Sequence, residues 1–370
     1  MDATGRDLLM QRWHVIQHDL MPELRQECEV LTPRLAKLVH ILDWVRIEEW
    51  AQTWQGIGRK PHDRGALANA FVAKVVLNLA TTRAVIERLT MDRALKRLCG
   101  FSMWKPIPDE TVFSRAFAQF TQEKLPERVH EALVKDTLGD VLIGHISRDG
   151  TAIEAREKPA KKVVPTPEKK KKRRAGRPRK DEVREVELSR IEQQRQQPLA
   201  AMLRDLPQAC DRGTKCNAQG YKNSWNGYKL HLDTADCGVP ISALLTSASV
   251  HDSQTAVPLA TMTAARVTNL YDLMDAAYCS RELQDHSRSL GHVPLIDHNP
   301  RGGEKDAFEP ADAVRYKERT QAERSNARLK DEFGGRGIRV RGAAKVMTHL
   351  MFGVLVLAAD QLMRLFTPDK

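Results

Sequence analysis

Tyr316, Arg319, Glu323 and Lys330 stand within one short stretch, YKERTQAERSNARLK, in the pattern Y-x2-R-x3-E-x6-K. On an α-helix, which turns by about 100° per residue, these offsets all return to one face. A phenol, a guanidinium, a carboxylate and an ammonium then share one stripe. Two cations beside one acid suit a site that holds a metal ion and a phosphate chain together. Upstream, Asp149 ends the apolar run VLIGHISRD and Asp275 ends TNLYDLMD. With Glu323 they read as the three carboxylates of a nucleotidyl-transfer centre. Phosphodiester chemistry needs a nucleophile activated at one point and a leaving oxygen stabilised at another, which two divalent ions about 4 Å apart can do. Mg²⁺ takes hard carboxylate oxygens and keeps several waters, so a few Asp and Glu residues suffice.

Other acids compete for the same roles. Glu318 sits about 140° round a helix from Glu323, so both cannot face one site. Asp272 precedes the strand end that Asp275 occupies, and Asp252 and Asp297 are further acids. His251-Asp252 resembles a metal phosphohydrolase pair but lacks other histidines at ligand spacing. The stripe itself has a plainer reading as a solvated helix face with i,i+4 ion pairs, Arg319 to Glu323 among them.

Rigid elements must position these groups. VLIGHISRDGTAIEA, from 141, predicts a buried strand with Asp149 near its end. NGYKLHLDTA (226–235) and GVPISALLTSAS (238–249) predict two strands joined by a hairpin-like turn at Asp236-Cys237-Gly238. TNLYDLMDAAY (268–278) predicts a strand ending at Asp275, and HVPLIDHNP (292–300) another. Residues 1–140 read as helical, with apolar positions recurring at three and four in ALANAFVAKVVLNLA and TTRAVIERL. Asp109 is the expected N-cap of the helix ETVFSRAFAQF, after Pro106 and Pro108. Such a helical cluster is compatible with DNA binding. The run LMFGVLVLAA (350–359) is too short to span a bilayer and predicts a buried terminal helix.

A net charge of +11 and a pI near 9.4 favour a polyanionic partner, with nucleic acid preferred over membrane. The opening MDATGRDLLMQRW lacks the apolar core of a signal peptide, and a cytoplasmic location is expected. The six cysteines form no CxxC pair, so reduced thiols are expected and a zinc site is not. Residues 155–224 interrupt the strands. Their first half, EKPAKKVVPTPEKKKKRRAGRPRK, is basic and poor in apolar residues, and disorder is expected. Their second half could form a charged helix. Arg177, Arg179 and Lys180, around Gly176-Arg177-Pro178, form an AT-hook-like core that fits an A·T minor groove. The competing reading is an electrostatic tether. Trp44, Trp50 and Trp54 read as packing residues. Trp225 has two readings, packing or stacking on a displaced base.

Taken in order, PDETVFSR, DGT at Asp149, GYKLHL with LLTSASVHDSQ, DAAY at Asp275, HNPR and the Tyr-Arg-Glu-Lys stripe resemble the DDE transposases of bacterial insertion sequences. The resemblance covers nearly the whole chain. It implies an α/β fold: an RNase H-like catalytic domain, a mixed sheet flanked by helices, over 141–370. An N-terminal all-α DNA-binding domain over 1–140 and the basic insertion at 155–224 complete it. It further implies that Asp149, Asp275 and Glu323 bind two Mg²⁺ ions, with Mn²⁺ as substitute. Tyr316, Arg319 and Lys330 would serve the DNA. The partners implied are double-stranded DNA at element ends and target, and a homodimer or higher in the synaptic complex. The location implied is cytoplasmic and nucleoid-associated. The alternatives are a catalytically silent, domesticated DNA-binding protein of the same fold, or a host nuclease.

Overall fold

The computed structural model describes residues 31–52, 58, 61–160, 188–216, 219–300 and 303–366. Within them the chain opens with helices α1 (Pro33–Val45), α2 (Ile47–Trp50), α3 (Arg64–Val76), α4 (Thr82–Met91), α5 (Arg93–Leu98), α6 (Glu110–Glu123) and α7 (Leu125–Leu138). Short polar side chains start several of them. Thr81 Oγ1 accepts from the Ala84 amide at 3.1 Å, and Asp92 Oδ1 accepts from Leu95 at 2.9 Å. Asp109 occupies the expected position before α6, but its side chain makes no capping hydrogen bond. Instead the first-turn Glu110 pairs with Arg83 at 2.7 Å, tying α6 to α4.

The sheet follows. Strands β1 (Leu142–Glu154), β2 (Asp211–Cys216), β3 (Lys222–Ala235), β4 (Pro240–Ser247), β5 (Thr268–Met274) and β6 (Val293–Ile296) form one mixed sheet. β4, β3 and β1 are antiparallel neighbours, while β1, β5 and β6 run parallel. β2 pairs with the first half of β3. The β3–β4 connection is the expected hairpin, with Gly238 at φ +81° where a side chain would be strained. Asp236 in that turn accepts from the Gly144 amide at 2.9 Å, fixing the turn to β1.

Two structural results depart from expectation at the interruption. Residues 211–216 and 222–224, placed there by sequence, belong to the sheet. The charged second half is not one helix but two short ones, α8 (Arg190–Arg195) and α9 (Leu199–Asp205), because Pro198 between them breaks the hydrogen-bond ladder. Arg177, Arg179 and Lys180 lie outside the described residues. Trp225 packs rather than presenting its ring: its indole donates to the Tyr228 carbonyl at 3.1 Å and covers Gly213, where a Cβ would lie 2.5 Å from the ring. Trp44 stacks on Phe366, Trp50 lies under Arg128, and Trp54 is outside the described residues. The described cysteines are all unpaired.

One face of the sheet carries α10 (Ala256–Ala264) and α11 (Arg281–Ser289) over a small core that includes Met202, Val257, Met274 and Leu283. The other face meets α14 (Ala343–Phe366) and α13 (Thr320–Asp331). Here the core is continuous. Leu67, Phe71 and Phe117 of the N-terminal helices join Leu230 and Leu232 of β3 through Phe352, Leu355 and Ala359 of α14. By length and composition α14 could cross a membrane, yet most of it is buried inside the protein, as a core helix would be. Its Asp360, nearly inaccessible, is held by Lys37 at 2.6 Å and by Arg328 of α13.

Gly353 lets α14 approach the end of α13. A Cβ there would fall 2.7 Å from both Leu329 Cδ1 and the Phe333 carbonyl oxygen. Gly353→Ala should therefore destabilise the protein by about 1–3 kcal/mol, as overpacking does, despite alanine's better helix propensity. Urea denaturation of parent and variant checks this; an equal or higher midpoint would count against the close approach.

Candidate active site

Side chains alternate along β1, so Ser147 and Asp149 share one face and Arg148 takes the other. Asp149 is not at the strand's end as expected. β1 continues past it, because Gly150 to Glu154 stay extended and pair with His231 to Gly227 of β3. The helical segment from 310 is laid over this face. Ser147 Oγ donates to the Glu318 carbonyl at 3.2 Å, and Asn326 of α13 donates to Asp149 Oδ2 at 2.9 Å. Burial, then repulsion from Asp275, push the Asp149 carboxyl up to about 6, against the pull of Lys215 and Arg319. Asp275 follows β5 and accepts from the Ala277 amide at 2.9 Å, capping a short 3₁₀ turn. Burial raises its pKa too, Asp252 adds to this, and Arg319 and Lys215 oppose it.

The four-residue stripe is not on one uninterrupted α-helix. α12 (Pro310–Tyr316) passes into a 3₁₀ turn (Lys317–Arg319) before α13 begins. With three residues per 3₁₀ turn, positions three apart stay on one side, so Tyr316 and Arg319 remain together; their ring and guanidinium lie 5.9 Å apart. Tyr316 is braced: its hydroxyl donates to the Met274 carbonyl at 3.1 Å, and its ring packs on Phe308 at 4.7 Å. Arg319 is paired with Glu323 at 2.6 Å. Lys330 is half-buried, its pKa lowered by burial and then by Arg336 and Lys215, while Asp149 draws it the other way. Asp149 and Asp275 thus meet beside Arg319 and Lys215. Glu323 lies on the same helix as Asn326 but is turned to Arg319. Among the described residues no three His, Cys, Asp or Glu side chains are gathered closely enough to hold a metal ion.

The rival acids separate. Asp272 is buried on the opposite face, accepting from Ser287 at 2.5 Å and lying 3.1 Å from His292 Nδ1. Asp297 pairs with Lys305, and Glu318 is exposed. Asp252, set aside in the sequence, comes close to the site. It takes Lys229 Nζ at 2.9 Å and packs against Gly150, where a Cβ would be 3.2 Å from its Oδ1. Asn326 and Lys215 had no assigned role. Asn326 had a readable signal, since it lies one turn beyond Glu323 on the same helix face. Lys215 had none, being on a strand hidden in the charged interruption. Three buried polar atoms around the site have no partner: Asn326 Oδ1, Tyr278 Oη and His231 Nδ1.

The family model for the Transposase DDE domain matches residues 143–358, and that for a Transposase domain (DUF772) matches residues 22–119. The chain belongs to the insertion-sequence DDE transposases. No curated protein and no solved structure matches this transposase. The first match contains Asp149, Asp275 and the whole Tyr-Arg-Glu-Lys stripe; the second covers the helices from α1 to most of α6.

The carboxylate pair sets a pH dependence. Asp149 titrates near 6 in the folded protein, against about 3.9 in an unfolded chain. Between those values the native state holds the extra proton, so this group's contribution to stability falls as pH rises from about 4 to 6. Asp149→Asn removes that penalty. Without metal at pH 7.5 the variant should be more stable by about 1–3 kcal/mol, the gain vanishing below about pH 4. Urea titrations in EDTA measure it; a variant no more stable than its parent at pH 7.5 would contradict the raised pKa of Asp149.

Proposed function

We propose that this transposase binds its element's terminal inverted repeats, cleaves DNA at the element ends and joins the freed 3′-hydroxyls to target DNA. The observation that carries the reading is the meeting of Asp149 and Asp275 beneath the helix that bears Arg319, Glu323 and Asn326. The strand order, three antiparallel followed by two parallel, supports an RNase H-like description of the catalytic domain.

The residues fit divalent cations. Burial raises the proton affinity of both carboxylates, Asp275 adds to that of Asp149, and the buried Asn326 oxygen lacks a hydrogen-bond partner. All are hard oxygen donors of the kind Mg²⁺ or Mn²⁺ takes. Asp149, Asp275 and Glu323 would hold two ions, Glu323 by leaving Arg319. Such ions would supply charge neutralisation at the phosphate and activation of the attacking hydroxyl or water.

The chain's own groups do the rest. Arg319, released from Glu323, offers a planar fork to a phosphate, and Lys330 and Lys215 add point charges. Tyr316 holds the 3₁₀ turn against the end of β5, so its first task is positioning, with its ring edge toward the DNA as a second. The segment with Arg177, Arg179 and Lys180 is proposed to contact DNA outside the site, and the N-terminal helices to bind the repeats. Pairing two ends calls for a homodimer or larger assembly.

The test is Mg²⁺-dependent cleavage of a plasmid carrying the gene with its native flanks. The parent and Glu318→Gln should cut at the flanks, while Asp149→Asn, Asp275→Asn and Glu323→Gln fall to background yet still bind. If parent protein binds the flanks and never cuts, the chain is a silent DNA-binding derivative. Cutting without joining would make it a nuclease. Near-normal cleavage by any triad variant removes that acid from the site.

A further inference from the structure

A second feature shares no residue with the acid site. A cavity of about 580 Å³ lies between α3, α4, α6 and α14. Lys74 of α3 lines it, only 9% exposed, with no hydrogen bond or ion pair among the described residues. An ammonium buried without an anion is costly, and burial lowers its pKa to about 8. Arg156 and Arg339 line the same cavity, and neither has a carboxylate partner among the described residues. The acid in the wall, Glu110, is already paired with Arg83. The first turn of α4 completes the polar side. Thr81 caps Ala84, which leaves the amides of Thr82 and Arg83 without an intrahelical acceptor, and a helix start of this kind attracts anions. Phe71 and Phe352 make the apolar wall, while Arg156 and Arg339 are exposed to solvent. His349 adds no charge at neutral pH, since burial and then Lys74 hold its pKa near 4.

We propose that this cavity binds a phosphate group, with Lys74, Arg156, Arg339 and the N-terminus of α4 as its ligands. Phosphate suits the site because it accepts from several donors at once and carries enough charge to compensate a buried ammonium. Its source is either a backbone phosphodiester of the bound DNA or a free phosphorylated nucleotide. Only the first rests on the transposase reading.

The test uses the full chain in EDTA, with parent, Lys74→Met and Glu318→Gln. Binding is measured for inorganic phosphate, thymidine monophosphate and a duplex carrying the gene's native flanks. Lys74→Met should fold and melt at a higher temperature, since it removes a buried uncompensated charge. Its affinity for phosphate and for the nucleotide should fall at least tenfold. If the salt slope of duplex binding also falls by about 0.9, the occupant is a DNA phosphate. If the slope holds while nucleotide binding is lost, the occupant is a free phosphorylated ligand, and the site stands. The proposal is overturned if the parent binds neither phosphate nor nucleotide, or if Lys74→Met binds both as tightly as the parent. Glu318→Gln, outside both sites, should match the parent in the phosphate and nucleotide arms, which need no metal, so a failure there is distinct from a failure of the acid site.

Discussion

The burial of α14 is the constraint on which the other parts depend. Its apolar side chains leave water on nearly every side, each contributing about 1.5–3 kcal/mol. No single layer could cover such a helix, so the N-terminal helices, the sheet and α13 are drawn onto it together. That is why the N-terminal helices α1 to α7 share one core with the sheet. It is also why a lone acid survives in the helix. Asp360 would be prohibitive alone, but Lys37 from α1 and Arg328 from α13 neutralise it. The same pair of contacts holds α13 at a fixed angle two residues from Asn326. The candidate site is therefore positioned through the core, not through surface loops.

β1 solves a second problem, holding charge on both faces of one strand. Arg148 is wholly buried beneath the sheet, bound to both carboxylate oxygens of Asp233 at 2.7 Å, with Thr263 donating to the same acid. Removing either partner of such a pair costs about 3–5 kcal/mol, so the strand's rotation is fixed. With Arg148 fixed, alternation sends Asp149 to the other face. There no protein cation fully compensates it. Burial, and then the nearby Asp275, raise its proton affinity. Arg319 and Lys215 offset part of this, and the remainder is strain stored where a cation and a phosphate chain would relieve it. Stability given up at one place in this way is a common mark of a working site.

Five of the strands, the hairpin and the terminal core helix were legible in the sequence, because each carries a local pattern. Period-two alternation, an Asp-Cys-Gly turn and a long apolar run announce themselves without tertiary context. What was hidden depends on partners far along the chain. Asp149 looked like a strand end because the apolar run stops at Asp149-Gly150-Thr151; pairing with His231 and Leu230 keeps Gly150 and Thr151 extended. β2 was lost in a charged stretch, since DRGTKC has no apolar alternation and becomes a strand by joining the exposed half of β3. Lys215 was lost with it. Asp109 was placed correctly as a boundary but not as a cap, because an arginine on α4 claimed the neighbouring Glu110. Lys74 could not be singled out at all. A lysine inside an apolar helix is ordinary in sequence, and becomes informative only when the fold leaves it buried beside a cavity.

The Arg319–Glu323 ion pair first appears to favour the plain reading of the stripe, a solvated face with i,i+4 contacts. Magnitudes decide otherwise. Glu323 is half exposed, and pairs of that kind contribute about 0.2–1 kcal/mol. A contact that weak is little obstacle to rearrangement. Nor does a solvated face account for the rest of the helix. Asn326 is buried and spends its amide on Asp149, and Tyr316 spends its hydroxyl on the carbonyl next to Asp275. On the proposed reading, a helix that clasps the two aspartates from both ends, while leaving its own carboxylate in a cheaply broken pair, would bring that carboxylate in when positive charge arrives between them.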